Sequence, residues 1–109
     1  MTKGNLLIVE DDYVVAANLQ TELEEMGYRI MGMVPSGERA MEHVRTERPE
    51  LVLMDIKLQG EIDGVETAVR LRKEHNIPSV FLTAYAENGI LERAKGSEPY
   101  GYLVKPYEH

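Results

Sequence analysis

Short runs of uninterrupted hydrophobes, each followed at once by a polar residue, set the limits on what this chain can fold into. Leu6-Leu7-Ile8-Val9 leads into Glu10-Asp11, and Leu51-Val52-Leu53-Met54 leads into Asp55. Val80-Phe81-Leu82 leads into Thr83, and Tyr102-Leu103-Val104 into Lys105. Runs of this length and purity are strands of a parallel sheet covered on both faces. Ligands of such sheets bind outside the carboxyl ends of the strands. Three acids, a hydroxyl and an ammonium are therefore expected to converge on one site.

The segments between the runs have helical spacing. Asp12 is a plausible N-cap for a helix reaching about Met26, with Val15, Leu19, Leu23 and Met26 on one face and Gly27 as its C′ residue. Arg29–Val34 is a more polar strand, expected at or near a sheet edge. Ser36 caps a helix whose apolar stripe is Ala40, Met41 and Val44. After Asp55 comes a loop over Lys57–Ile62, then a cap at Asp63-Gly64-Val65-Glu66 and a helix to about Glu74, with Val65, Ala68, Val69 and Leu71 inward. Pro78 opens the fourth strand. Glu87–Lys95 is a weaker helix, and Tyr100–Val104 the fifth strand. This βαβαβαβαβ order predicts right-handed crossovers and a doubly wound α/β sheet. A fifth helix should begin where the sequence stops at His109; the expectation is that it is truncated, or that a partner covers the last strand.

Length and composition close off several classes. With 109 residues and no linker or repeat, one domain over residues 1–109 is expected. No apolar stretch approaches the roughly 20 residues of a membrane span. Cysteine is absent, which leaves no disulfide framework and no thiolate metal site. A cytoplasmic location fits. Twelve basic against nineteen acidic residues give a net charge of −7, a poor basis for gripping nucleic-acid phosphates.

The chemistry of the convergent set is specific. Clustered carboxylates repel and must take up protons or a cation, and hard oxygen donors suit Mg²⁺. Asp55, ending the central strand, can attack phosphorus to give an acyl phosphate. Lys105 would offset charge on the transferring oxygens, and the Thr83 hydroxyl can donate to one of them. Any one of these residues alone would be read as a turn, a cap or a loop. Their joint occurrence at strand ends of one βα repeat carries the signal.

These pieces, together with Leu53-Met54-Asp55-Ile56-Lys57-Leu58, Asp63-Gly64, Phe81-Leu82-Thr83-Ala84 and Gly101-Tyr102-Leu103-Val104-Lys105-Pro106, resemble the receiver domain of two-component response regulators over essentially the whole chain. The resemblance implies a flavodoxin-like, CheY-like five-stranded parallel sheet in the order 2-1-3-4-5. It implies that Asp55 is the phosphoacceptor, Asp11 a direct Mg²⁺ ligand, Glu10 a ligand through water, and the main-chain carbonyl of Lys57 a further ligand. Thr83 and Lys105 would contact the phosphoryl group, and the Lys105–Pro106 bond would be cis. Tyr102 matches the family's switch aromatic, moving with Thr83; a half-buried strand aromatic is the alternative reading.

The implied partners are a sensor histidine kinase or a phosphotransfer domain, with a PAS, kinase or effector domain elsewhere in a full-length protein. No direct contact with nucleic acid or membrane is implied, and a homodimer is left open. The protein would be a phosphorelay switch that catalyses only its own phosphorylation and dephosphorylation. Two features depart from the family pattern. The loop after Asp55 is one residue longer, with Gln59-Gly60 where proline is usual, and the last helix is expected to be truncated or missing in the sequence given.

Two rival readings differ in kind. A Mg²⁺-dependent phosphatase with an Asp nucleophile would resemble haloacid-dehalogenase-like enzymes. Those place a second Asp two residues on, where this chain has Lys57. A receiver-like docking module without phosphotransfer would lack site residues, and none is missing here.

Overall fold

Alternation inside the apolar runs sorts the chain into layers. The computed structural model describes residues 4–55, 58, 62–83 and 101–104, with Thr83 and Gly101–Val104 described by their backbone. The elements are β1 (Asn5–Val9), α1 (Tyr13–Glu25), β2 (Arg29–Val34), α2 (Gly37–Thr46), β3 (Leu51–Asp55), α3 (Gly64–His75), β4 (Ser79–Thr83) and β5 (Gly101–Val104). The strands run parallel in the order β2-β1-β3-β4, and the β5 backbone lies parallel along β4. The helix expected over Glu87–Lys95 and the truncation expected of a fifth helix fall outside the described residues.

Side chains of consecutive strand residues point to opposite faces. Leu7, Val9, Val52, Met54 and Phe81 accordingly face one core with Ala40 and Val44 of α2 and Val65, Ala68 and Leu71 of α3. Leu6, Ile8, Leu53 and Leu82 face the other core with Ala16 and Leu19 of α1. Both faces of β1 and β3 are buried, which is why these strands carry no polar alternation.

Capping follows the sequence. The Asp12 carboxylate accepts from the Val14 and Val15 amides at 3.0 and 3.3 Å. The Ser36 hydroxyl oxygen accepts from Arg39 N at 3.2 Å, and Asp63 Oδ1 from Glu66 N at 2.9 Å. Gly27, with φ of 102°, turns the chain out of α1 into β2.

Three details differ from expectation. Met26 is 55% exposed, whereas Ala16 is 2% exposed and Leu19 3%. Met26 is the C-cap, where the chain already turns away, and Ala16 lies one turn before Leu19 on the inward face. Val69 is only half-buried, while Thr67, not expected inside, is fully buried. The Thr67 hydroxyl donates to the Asp63 carbonyl at 2.7 Å, which satisfies it within its own helix. On the edge strand β2, Leu6 pairs with Ile30 but Leu7 with Gly32, so Met31 is an extra residue in a bulge. A Cβ at Gly32 would stand 2.9 Å from His43 Nε2, so glycine lets α2 lie close over this edge.

The end of α3 is fixed twice. Asn76 adopts the left-handed conformation at φ 56°, and its amide donates to the Arg72 carbonyl at 3.0 Å. The Arg48 guanidinium donates to the carbonyls of His75 and Asn76. Because alanine is penalised in the left-handed region and glycine is not, Asn76→Ala should lose about 1 kcal/mol of unfolding free energy in urea titrations. Asn76→Gly should stay close to wild type.

Candidate functional site

Register brings the acids together. β1 and β3 are adjacent and parallel, with Val9 opposite Met54. The next residue of each strand is an acid, so Glu10 and Asp55 emerge side by side. The chain leaves β1 toward β2 on one side and leaves β3 toward β4 on the other. The crevice between these diverging connections is where open α/β sheets bind ligands.

Oxygen atoms of Glu10, Asp11 and Asp55, one from each, all lie within 4.8 Å of one another. Glu10 and Asp55 are each only 4% exposed, and Asp11 is exposed. The Glu10 amide donates to the Val34 carbonyl at 3.0 Å, and Glu10 Oε2 accepts from Asp12 N at 3.3 Å. These bonds hold Glu10 at the strand end. Asp12 stands next to the cluster yet serves as a helix cap, as its spacing to Val14 and Val15 implied.

Two ionised carboxylates 4.8 Å apart repel by about 3.5 kcal/mol at an effective dielectric near 20. Burial on a hydrophobic sheet excludes much of the water that would screen Glu10 from Asp55. A divalent cation offsets both charges at once, and hard oxygen donors from a few side chains suit Mg²⁺, which keeps several waters. The donor set therefore fits such an ion.

Thr83 ends β4, whose Leu82 pairs with Asp55, so its backbone lies at the same edge of the sheet. Tyr102 lies in β5 opposite Phe81. Lys57, Lys105 and Pro106 lie outside the described residues, and with them the carbonyl ligand, the ammonium and the cis bond expected there. A cavity of about 230 Å³ opens beside Glu10 and Asp11, walled by Tyr13 and Ala16 of α1, by Met33 and Val34 of β2, and by Pro35 after it. No spacing or periodicity in the chain marks this wall. Tyr13 is 73% exposed and follows the acids directly, and that adjacency is the only hint available.

A family model described as the response regulator receiver domain matches residues 6–109. The chain belongs to that family: it is a receiver domain of the kind found in two-component systems. It is 35% identical over 102 residues to the transcriptional regulatory protein PdtaR of Mycobacterium tuberculosis H37Rv, covering 94% of this chain and 49% of PdtaR. It is 31% identical to sporulation initiation phosphotransferase F of Bacillus subtilis 168, covering 99% of this chain and 86% of that protein. The chain thus spans about half the length of PdtaR but most of the Bacillus protein. Among solved structures, the signal receiver domain of a modulated diguanylate cyclase from Desulfovibrio desulfuricans G20 superposes with a TM-score of 0.88 at 43% identity. That match covers 94% of this chain and 82% of the other. No helix among the described residues is long and apolar enough to cross a membrane.

The repulsion has a measurable consequence. In EDTA, Asp55→Asn should raise the unfolding free energy by about 1–3 kcal/mol, because it removes one of two buried like charges. Equal or lower stability of the variant in urea titrations would show that the repulsion does not limit the stability of this site.

Proposed function

We propose that the chain is a phosphoacceptor domain that takes a phosphoryl group onto Asp55 and changes conformation in response. The observation that carries this reading is the convergence of Glu10, Asp11 and Asp55 oxygens within 4.8 Å, two of the three carboxylates being buried. Family membership supports it independently.

In this reading an Asp55 carboxylate oxygen attacks the phosphorus of a phosphohistidine presented by a kinase or phosphotransfer domain. The oxygen–phosphorus bond forms as the nitrogen–phosphorus bond breaks, and the donor imidazole leaves with the electron pair. Hydrolysis by water later restores the carboxylate. Glu10, Asp11 and Asp55, with the main-chain carbonyl of Lys57, would hold Mg²⁺, which when bound supplies charge neutralisation to the phosphoryl oxygens. Thr83 and Lys105 take the remaining phosphoryl contacts. Thr83 and Tyr102 form the switch, a shift between two conformations biased by the phosphoryl group. The whole of 1–109 acts as one receiver unit in the cytoplasm, without turnover of an external substrate.

Outputs differ among relatives. PdtaR is a transcriptional regulator by name, and one similar structure, 36% identical with a TM-score of 0.85, comes from a response regulator/sensory box/GGDEF protein of Carboxydothermus hydrogenoformans. An output module joined to this domain in a longer protein is consistent with both.

Incubation with acetyl phosphate and Mg²⁺ should add a single phosphoryl mass to wild type. EDTA should abolish the adduct, and so should Asp55→Asn. An adduct that persists in Asp55→Asn would overturn the assignment of Asp55. No adduct on folded wild type would favour a docking module that works without phosphorylation.

A further inference from the structure

The residue before the α3 cap is tied down by α2, an element that supplies none of the site's carboxylates. Ile62, 8% exposed, precedes the Asp63 cap, and its amide must find an acceptor in a place with little water. The acceptor is Glu38 Oε2, at 3.3 Å and 24 positions away in sequence. Glu38 is the second residue of α2. An acid there is ordinarily read as a complement to the helix dipole, yet this carboxylate reaches across to another segment.

The first turn of α2 is pressed against the same place. A Cβ at Gly37 would stand 2.0 Å from Thr67 Oγ1 and 2.9 Å from Ile62 Cγ1. The backbone of α2 therefore touches the first turn of α3 and the Ile62 side chain directly. Leu58, 7% exposed, is the other described anchor and lies in the core with Val9, Met54 and Val65. Leu58 is thus held by apolar burial, and Ile62 by burial plus a charge-assisted hydrogen bond.

We propose that Glu38 is a positioning residue for phosphoacceptance: its bond to the Ile62 amide ties the entry to α3 at Ile62 and Asp63 to the first turn of α2, and makes the acceptor site sensitive to the placement of α2. The proposal rests on the reading of Asp55 as phosphoacceptor. It predicts that anything shifting the first turn of α2 alters phosphorylation without touching an acid of the cluster.

The test compares wild type, Glu38→Ala and Glu38→Gln. Amide exchange at Ile62 should accelerate about tenfold in Glu38→Ala. Mg²⁺ affinity and the rate of phosphorylation by acetyl phosphate should each fall at least about fivefold, the order expected when a hydrogen bond is lost. Glu38→Gln keeps an oxygen acceptor and should restore most of both, which a merely destabilised fold would not explain. Unchanged Mg²⁺ affinity and phosphorylation rate in a folded Glu38→Ala would overturn the proposal, as would an unchanged exchange rate at Ile62. A wild type that binds Mg²⁺ but accepts no phosphoryl group would instead sink the reading of Asp55, and the Mg²⁺ affinities would still decide the role of Glu38.

Discussion

Like charges held together against their repulsion are the constraint on which this structure turns. Glu10 and Asp55 are buried at the ends of β1 and β3, and neither can move away without breaking a strand whose side chains fill both cores. The register of one β-ladder fixes their separation. The sheet supplies rigidity, its apolar faces limit screening, and the divergence of the two connections leaves the crevice open to a ligand. The gathering of donor oxygens that would suit a cation is then a consequence of the fold, not an ornament on it.

The same logic explains how much could be read in advance. A parallel strand buried on both faces shows as a pure apolar run, and β1 and β3 are such runs. The polar residue that ends each run must lie at the carboxyl edge, so Glu10, Asp11 and Asp55 were legible as a cluster. Caps were legible for a local reason: Asp12, Ser36 and Asp63 bond amides two or three positions on.

What stayed hidden depends on contacts between segments distant in sequence. Ala16 is too weak a hydrophobe to signal burial, and Met26 strong enough to suggest it wrongly. Gly37 reads as an ordinary helix-start residue until Thr67 is found against it. Glu38 reads as a dipole partner until Ile62 is placed beside it. The bulge at Met31 leaves the apolar content of β2 unchanged and has no pattern of its own. The cavity wall of Met33, Val34 and Pro35 likewise requires β2 to be placed beside the start of α1.

The most direct measurement is calorimetric titration of Mg²⁺ into wild type, Asp11→Asn and Asp55→Asn at fixed pH and ionic strength. The account predicts one site in wild type, with affinity weakened at least about tenfold when either acid is neutralised. Affinity equal in all three proteins, or no binding to wild type, would contradict a cation site built from these carboxylates.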